Sequence, residues 1–522
     1  MGIPATLDLL LPWAARHFPM SGAITASGTF IPWPEVDART AALAALLADA
    51  GVGGGDRVAV LHPKSVQSFE AMHAAIRLGA IAVPLDPLGA VAGIEAVLDQ
   101  VGPAVVVGSE DTLSRLAGTW LARNHTPTIA LPPLDEPLEV RRRPQDLPAP
   151  IEPTAPAYLI FTSGSTGRPK GILHTHRSAM AYATEAVRRH QMDESSRLAG
   201  IPPLHFDMST LELYAAPLAG ATIVDISEAE LRFPASLTQR FERDSVTHLY
   251  AVPYLLRQIQ ERGALDQRKL DSLVHISYGG ETFPPGALTE LMRCLPHATI
   301  LNVYGPAEVN AVMSHQQDGP PEADTEVPLG DCWQGVDLCV VDEDGHAVSV
   351  GTKGELWISA PTCMTGYWNE TELTDRSFVS RGAALAPWYR TGDIVVGSPD
   401  GSLRFLGRRD NQVKVRGVRL ELEAIEAVLT DAPGVEHAVA GLAADGADVH
   451  LVAEVVLRPG AALDQRAIRR WCSTRLPAVA IPEQMVAVDH FPTTASGKID
   501  KRAVRSSLLL SSPSPPPSRN ES

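Results

Sequence analysis

Lysine is scarce in this chain of 522 residues, occurring only as Lys64, Lys170, Lys269, Lys353, Lys414, Lys498 and Lys501. Basic residues are outnumbered by acidic ones, 44 to 61, for a formal charge of −17. That balance excludes a nucleic-acid partner, because phosphate contacts need a basic surface. No apolar run approaches the ~18 residues of a membrane span, so no membrane partner is expected. The apolar start, Leu9, Leu10, Leu11 and Trp13, has no basic residue ahead of it and carries Asp8, which does not suit a signal peptide. The five cysteines, Cys294, Cys332, Cys339, Cys363 and Cys472, are odd in number and scattered without C-x-x-C spacing. They imply neither a disulfide framework nor a zinc site, and read as reduced thiols of a cytoplasmic protein.

What remains is an ordinary globular composition, 45% apolar and 20% charged, on a chain long enough for at least two domains. Apolar residues recur at helical spacing from Trp33 to Ala50, and Gly51 to Gly55 stop that helix before the strand Arg57 to Leu61. A helix around Val66 to Leu78 and a strand after Gly79 follow. Helix and strand in alternation mean a parallel sheet with helices on its faces. Residues 135–156, dense in proline and charge, read as a surface connector, and beyond about residue 174 the alternation resumes and runs to about Gly305. Val327 to Phe405 then reads as short β runs between Gly, Asp and Pro turns, a small barrel-like β subdomain. Near Asp410 the pattern changes to a short α+β unit with a helix from about Glu421 to Thr430. Residues 506–522, rich in Ser and Pro, have little to bury and are expected to be disordered.

The most informative stretch is Tyr158-Leu-Ile-Phe-Thr-Ser-Gly-Ser-Thr-Gly-Arg-Pro-Lys-Gly-Ile-Leu-His174. A buried strand empties into Thr162, Ser163, Gly164, Ser165, Thr166 and Gly167, where glycines admit a close ligand and hydroxyls add donors; Lys170 supplies charge. Such a loop suits the outer phosphates of a nucleotide. It is no P-loop, since Pro169 precedes Lys170 and the G-x-x-x-x-G-K-[ST] spacing is missing.

This run resembles the Thr/Ser/Gly-rich phosphate motif of the adenylate-forming superfamily: nonribosomal peptide synthetase adenylation domains, acyl-CoA and aryl-CoA ligases, and luciferases. Further matches follow in the family's order. In Asn302-Val-Tyr-Gly-Pro-Ala-Glu308 the resemblance implies that Tyr304 stacks on adenine with Asn302 at its polar edge, Gly279 and Gly305 beside the nucleotide, and Glu308 holding Mg²⁺. A flat π face suits a purine, and a carboxylate beside phosphates suits magnesium. Ala307 departs from the family's usual threonine. In Tyr389-Arg-Thr-Gly-Asp393, Asp393 falls on the ribose-binding carboxylate. Gly407 to Arg419 matches the hinge signature, with Asp410 at the hinge and Arg408 and Arg419 near the nucleotide. Thr493 to Asp500 places Lys498 on the mobile catalytic lysine.

The resemblance thus implies an α/β fold: a large N-terminal core, residues 1–408, of two parallel-type α/β subdomains plus a small β-barrel subdomain. A hinge at 409–411 joins it to a small mobile α+β C-terminal domain, 412–505. Catalytic work falls to Lys498, Glu308 and Lys170, with ATP and Mg²⁺ as cofactors.

The branch of the family is decided at His205-Phe-Asp-Met-Ser-Thr-Leu-Glu-Leu213. Ser209 and Glu212 have the spacing of a capping box, predicting a helix start just after Asp207. Carried over from amino-acid-activating members, Asp207 pairs with the substrate's α-ammonium group. An unneutralised carboxylate would be costly in a pocket for an aryl or fatty acid. Aligned motif to motif, the rest of the pocket is Met208, Leu211, Tyr250, Ile276, Tyr278, Val303, Ala311 and Val312. With no further charge and two tyrosines filling space, it points to a small neutral amino acid: alanine, glycine or serine, with proline as competitor. The expected product is aminoacyl-AMP, its acyl group passing to the phosphopantetheine thiol of a separate carrier protein, since no carrier segment follows Lys498. Two rivals stand beside this reading, an acyl-CoA or aryl-CoA ligase and a catalytically silent nucleotide-binding regulator.

Overall fold

The computed structural model describes residues 2–510 apart from 21–22, 27, 135–149, 163–167, 323–325, 381–386, 446–447 and 493–498. The chain divides into two compact units, one made of residues 1–88, 94–162 and 170–410, the other built on residues from 411 onward.

Two sheets organise the larger unit. In the first, strands Pro156–Thr162, Ile81–Pro84, Arg57–Leu61, Val105–Gly108 and Thr128–Ala130 run parallel, and Lys170–Thr175 returns antiparallel beside Pro156–Thr162. Fully buried runs such as Val105–Gly108 and Ile81–Pro84 are apolar at every position, as a sheet covered on both faces demands. The expected helices appear as Trp33–Asp49 and Val66–Arg77. Pro34 sits in the first turn of the former, where no backbone donor is lost, and Gly51 ends it at φ +92°. Ser65 and Ser68 cap the latter reciprocally.

The second sheet has nine strands, of which Thr299–Tyr304, His275–Gly279, His248–Ala251, Arg197–Gly200, Thr222–Asp225 and Ala23–Ala26 are parallel neighbours. Its two faces feed two separate cores. Leu249, Ala251, Ile276, Tyr278 and Ile300 pack on one side, while Tyr250, Leu301 and Val303 pack on the other with Leu211 and Ala311. Residues Asp337 to Arg408 supply the small β subdomain as a five-stranded antiparallel sheet.

The smaller unit holds the hairpin Gln412–Val415 and Val418–Glu421, and a three-stranded sheet of Val435–Asp445, Asp448–Leu457 and Gln484–Val488. Its helices are Leu422–Thr430, Gln465–Ser473 and Lys501–Leu510. The last corrects the expected start of the disordered tail. Residues 506–510 are helical because Leu508 packs with Val439, Ala443, Val452 and Val504, an apolar stripe that the Ser-rich composition conceals. Residues 511–522 lie outside the described part. Among the described residues no helix is long and apolar enough to cross a membrane.

Candidate active site

Thr162 and Lys170 end the two strands of a hairpin and stand opposite each other, so both flank the Ser/Gly loop, whose residues 163–167 lie outside the described part. The strand continues to Thr175, which caps the helix His176–Arg189. His174 and His176 are structural: His174 stacks on Tyr158 at 5.0 Å and bonds the Ala307 carbonyl at 2.9 Å, and His176 accepts the Leu7 amide at 3.1 Å.

The Asn302 to Glu308 segment leaves its strand and folds back sharply. A side chain at Gly305 would lie 1.7 Å from the Asn310 carbonyl oxygen, so only glycine fits. Glu308 is wholly buried, its Oε1 accepting the Tyr367 hydroxyl at 2.8 Å. Asn302 donates to the Pro328 carbonyl at 3.0 Å. Tyr304, carried at the end of the same strand, donates to Asp393 Oδ2 at 2.5 Å. Burial, and then the Asp393 carboxylate, hold the Tyr304 phenol well above its usual pKa.

Asp393 is 5% exposed and also accepts from Arg408. The other edge of that guanidinium grips Asp410 through two bonds of 2.7 and 2.8 Å. Gly392 makes room: at φ +73°, any Cβ there would sit 2.9 Å from Arg408 Nη2. Each Asp393 oxygen receives one of these donors, and a carboxylate oxygen has two lone pairs, so capacity remains for two vicinal hydroxyls. A π face, a buried carboxylate and an arginine thus converge as a nucleoside would require. Glu308 offers the hard oxygen that Mg²⁺ takes when phosphates and water complete its shell, so the donor set fits that ion. Among the described residues the single cluster of three metal-capable groups, Asp342, Asp344 and His346, is exposed and excludes Glu308. Arg419 belongs to the smaller unit, donating to Gln412 at 2.8 Å, and Lys498 lies outside the described residues.

Asp207 opens a short 3₁₀ turn, Asp207–Ser209, and a π-helical turn, Leu211–Ala215, follows. The predicted capping box is corrected here. Ser209 donates instead to the Phe206 carbonyl at 2.7 Å, and Glu212 turns inward to a buried ion pair with Lys64 at 2.8 Å. Glu212 is needed below the turn and not at its start, because the Lys64 ammonium, its side chain 9% exposed, is held there by the Glu212 carboxylate and the Pro202 carbonyl, with the Asp225 carboxylate acting on it as well. The charge of Asp207 is felt by Tyr158, Tyr182 and Tyr250, whose phenols are pushed up by burial first and by that carboxylate in addition.

Sheet register revises the pocket wall. Tyr250 stands opposite Ser277, and Gly279 opposite Val303, so Tyr250, Ser277, Gly279 and Val303 share the face that Leu211 and Ala311 cover. Ile276 and Tyr278 point through the sheet into the other core, Tyr278 packing edge-on against Phe283 at 5.0 Å. The expectation that both tyrosines fill one pocket is therefore corrected by strand alternation. Val312 also turns away, into the core with Ile172, Leu356 and Tyr389, whereas Ala311 remains. The residues missed are Ser277, bonded to the buried His190 at 2.8 Å, and Gly279 in its role as wall. A Cβ at Gly279 would lie 3.2 Å from the Tyr250 hydroxyl. Period-two counting along the strand from Gly279 would have found Ser277.

The chain belongs to the AMP-binding enzyme family, whose model matches residues 11–368, with the family's C-terminal domain matching 424–498. It is an adenylate-forming ligase by that membership. Among its relatives is the L-proline--[L-prolyl-carrier protein] ligase of Pseudomonas fluorescens, 32% identical across 94% of this chain and 96% of that protein. A dimodular nonribosomal peptide synthase of Bacillus subtilis is 32% identical across 88% of this chain, which spans only 19% of that synthase. Of solved structures, the amide bond synthetase McbA of Marinactinospora thermotolerans superposes with a TM-score of 0.85 at 25% identity, covering 97% of this chain and all of that one.

Proposed function

We propose that the protein activates a small neutral amino acid, proline first among them, and passes it to a thiol on a separate carrier protein. The observation that carries this reading is Asp207, a carboxylate set among buried tyrosines at the head of an otherwise uncharged wall of Met208, Leu211, Tyr250, Gly279, Val303 and Ala311. Such a wall needs a cationic ligand group at one end and a compact apolar group at the other. The full-length match to a proline ligase supports proline over alanine, glycine and serine.

In the first half-reaction a substrate carboxylate oxygen attacks the α-phosphorus of ATP, the bond to the bridging oxygen breaks, and pyrophosphate leaves. Asp207 holds the ammonium group, Tyr304 and Asp393 hold the nucleoside, and Thr162, Lys170 and the intervening loop steady the phosphates. Glu308 would hold Mg²⁺, which supplies charge neutralisation to the phosphate oxygens when bound. Lys498 is assigned to the carboxylate being activated. In the second half-reaction the carrier's thiolate attacks the acyl carbon and AMP leaves with the bonding electrons. An ATP/pyrophosphate exchange panel over the common amino acids tests the reading, with proline expected to give the highest rate. Asp207→Ala should abolish exchange with every amino acid. Exchange that survives in this variant, or that is strongest with a carboxylic acid lacking an amine, would favour the CoA-ligase alternative.

A further inference from the structure

Tyr304 and Asp207, assigned above to the nucleoside and to the amino acid, stand on different elements, the end of the strand Thr299–Tyr304 and the turn Asp207–Ser209. Something must hold those elements in register, because a misplacement of about 1 Å between reacting groups can cost on the order of a hundredfold in rate. Past Glu308 the chain folds back: the Val309 amide donates to the Pro306 carbonyl at 2.9 Å, and the Val312 amide to the Tyr304 carbonyl at 2.9 Å. Asn310 makes that turn. It is 5% exposed and left-handed at φ +57°, and its carbonyl oxygen fills the space that a Cβ on Gly305 would need. Asparagine tolerates this backbone better than a bulky or β-branched residue, but glycine would adopt it without strain. The turn by itself therefore does not call for the amide.

The amide reaches the other element. Asn310 Nδ2 donates to Thr210 Oγ1 at 3.2 Å, 100 residues away in sequence, and the Thr210 hydroxyl donates in turn to the Asp207 carbonyl at 2.5 Å. Thr210 is only 1% exposed, so bulk water does not compete for either bond. Other bonds tie the same segment elsewhere: His174 to the Ala307 carbonyl, the Met364 amide to the Glu308 carbonyl, and the Thr362 hydroxyl to the Val309 carbonyl. Those fix it against the hairpin strand Lys170–Thr175 and against the small β subdomain. The Asn310 bond fixes it against the turn that carries Asp207.

We infer that Asn310 is a positioning residue for adenylate formation: through Thr210 it sets the Asp207 turn in register with the strand that carries Tyr304, so that the amino acid's carboxylate meets the α-phosphorus of ATP in line. The inference rests on the amino-acid reading above. Asn310 acts through other residues, so its loss leaves the contacts assigned to each substrate in place and disturbs their alignment. The consequence is a loss of rate at saturation and not of affinity.

The test uses the full chain and whichever amino acid wild type activates fastest. Asn310→Gly keeps the turn and removes the amide. Its single-turnover rate of aminoacyl-AMP formation at saturating substrates should fall about tenfold or more, while the Kd for ATP and for the amino acid, each measured alone by calorimetry, stay within about threefold of wild type. A merely structural role would lower the Tm without splitting rate from affinity. Thr210→Val removes the same link from its other side and should fall by a similar factor, and Thr210→Ser, which restores the hydroxyl, should regain most of that rate. The double variant Asn310→Gly/Thr210→Val should be no slower than the slower single, since both substitutions break one link. An Asn310→Gly rate within about twofold of wild type overturns the inference, as does a loss confined to amino-acid affinity or a double variant whose losses multiply. Should Asn310→Gly fail to fold, the Thr210 variants decide alone, and a Thr210→Ser as slow as Thr210→Val overturns the inference. Wild type that forms an adenylate from no amino acid overturns the amino-acid reading on which it rests.

Discussion

Replacing Lys64 by methionine removes one half of a buried ion pair whose side chains are 9% and 3% exposed, and leaves Glu212 behind. Burial raises the Glu212 pKa to about 7 even with Lys64 pulling it down. Without the lysine it rises further, so at pH 7 the variant takes up a proton and no naked charge remains. The cost is then the lost pair and the lost bond to Pro202, at the lower end of the range for breaking a buried pair, about 3 kcal/mol. For a unit this large that corresponds to a fall in Tm of roughly 5 °C. The double variant Lys64→Met/Glu212→Gln removes the group that would ionise at higher pH, so it should be no less stable than Lys64→Met at pH 7 and more stable than it above Glu212's raised pKa.

The pair also has a pH signature. Glu212 is raised above its ordinary 4.5, so between 4.5 and about 7 the folded protein holds a proton that the unfolded chain has released. Its contribution to stability is complete below 4.5 and is lost as pH rises through 7, about 3 kcal/mol in all. The double variant should lack that slope. Because Glu212 anchors the turn that follows Asp207, Lys64→Met should raise the KM for the amino acid several-fold more than that for ATP. The assay is thermal unfolding of wild type, both singles and the double from pH 5 to 8, with exchange kinetics at pH 7.5. A single variant melting within 1 °C of wild type, or a double less stable than Lys64→Met, refutes the coupling.

Further outcomes follow from the same geometry. Tyr250→Ala should shift preference towards larger amino acids, since each additional buried methylene contributes about 0.8 kcal/mol, while Tyr278→Phe should leave preference unchanged and stabilise the protein by about 1 kcal/mol, its hydroxyl being buried without a partner. An exchange panel and a melt decide both, and a changed preference in Tyr278→Phe would restore that residue to the pocket. Asp393→Ala should raise the KM for ATP about 10- to 100-fold, the loss of charge-assisted hydrogen bonds, without altering that for the amino acid. His190, His248 and His275 are buried in contact, and burial lowers the pKa of each, that of His275 to about 3. The unfolded chain takes up protons below 6.5 that these imidazoles refuse, so stability should fall as pH drops from 6.5 to 5, by about 2 kcal/mol for His275 alone. Denaturant titrations should show a correspondingly shallower fall for His275→Gln.

The contrast between what was and was not legible in the sequence has a physical origin. The helices at Trp33 and Val66, the buried strands and the change of pattern near Asp410 could be read because each depends on local periodicity and on capping or turn residues. Tyr304, Asp393 and Arg408, the residues proposed for the nucleoside, could be read because they sit in short motifs, although their meeting point is a matter of tertiary structure. The pocket wall could not be read as safely. Tyr278 and Ser277 differ by one position on a strand buried on both faces, and such a strand carries no alternation of apolar and polar residues to show which face is which. The partner of Glu212 was hidden for a related reason: Lys64 lies 148 residues away, and an acidic residue three after a serine is locally persuasive as a cap. A single register step thus exchanges a wall of two tyrosines for one tyrosine over a glycine and a serine. The charge proposed to meet the substrate's ammonium group, Asp207, does not depend on that step, because it lies on a turn and not on a strand. The reaction class therefore follows from the motifs, whereas side-chain selectivity is set by whichever face of one strand looks into the pocket.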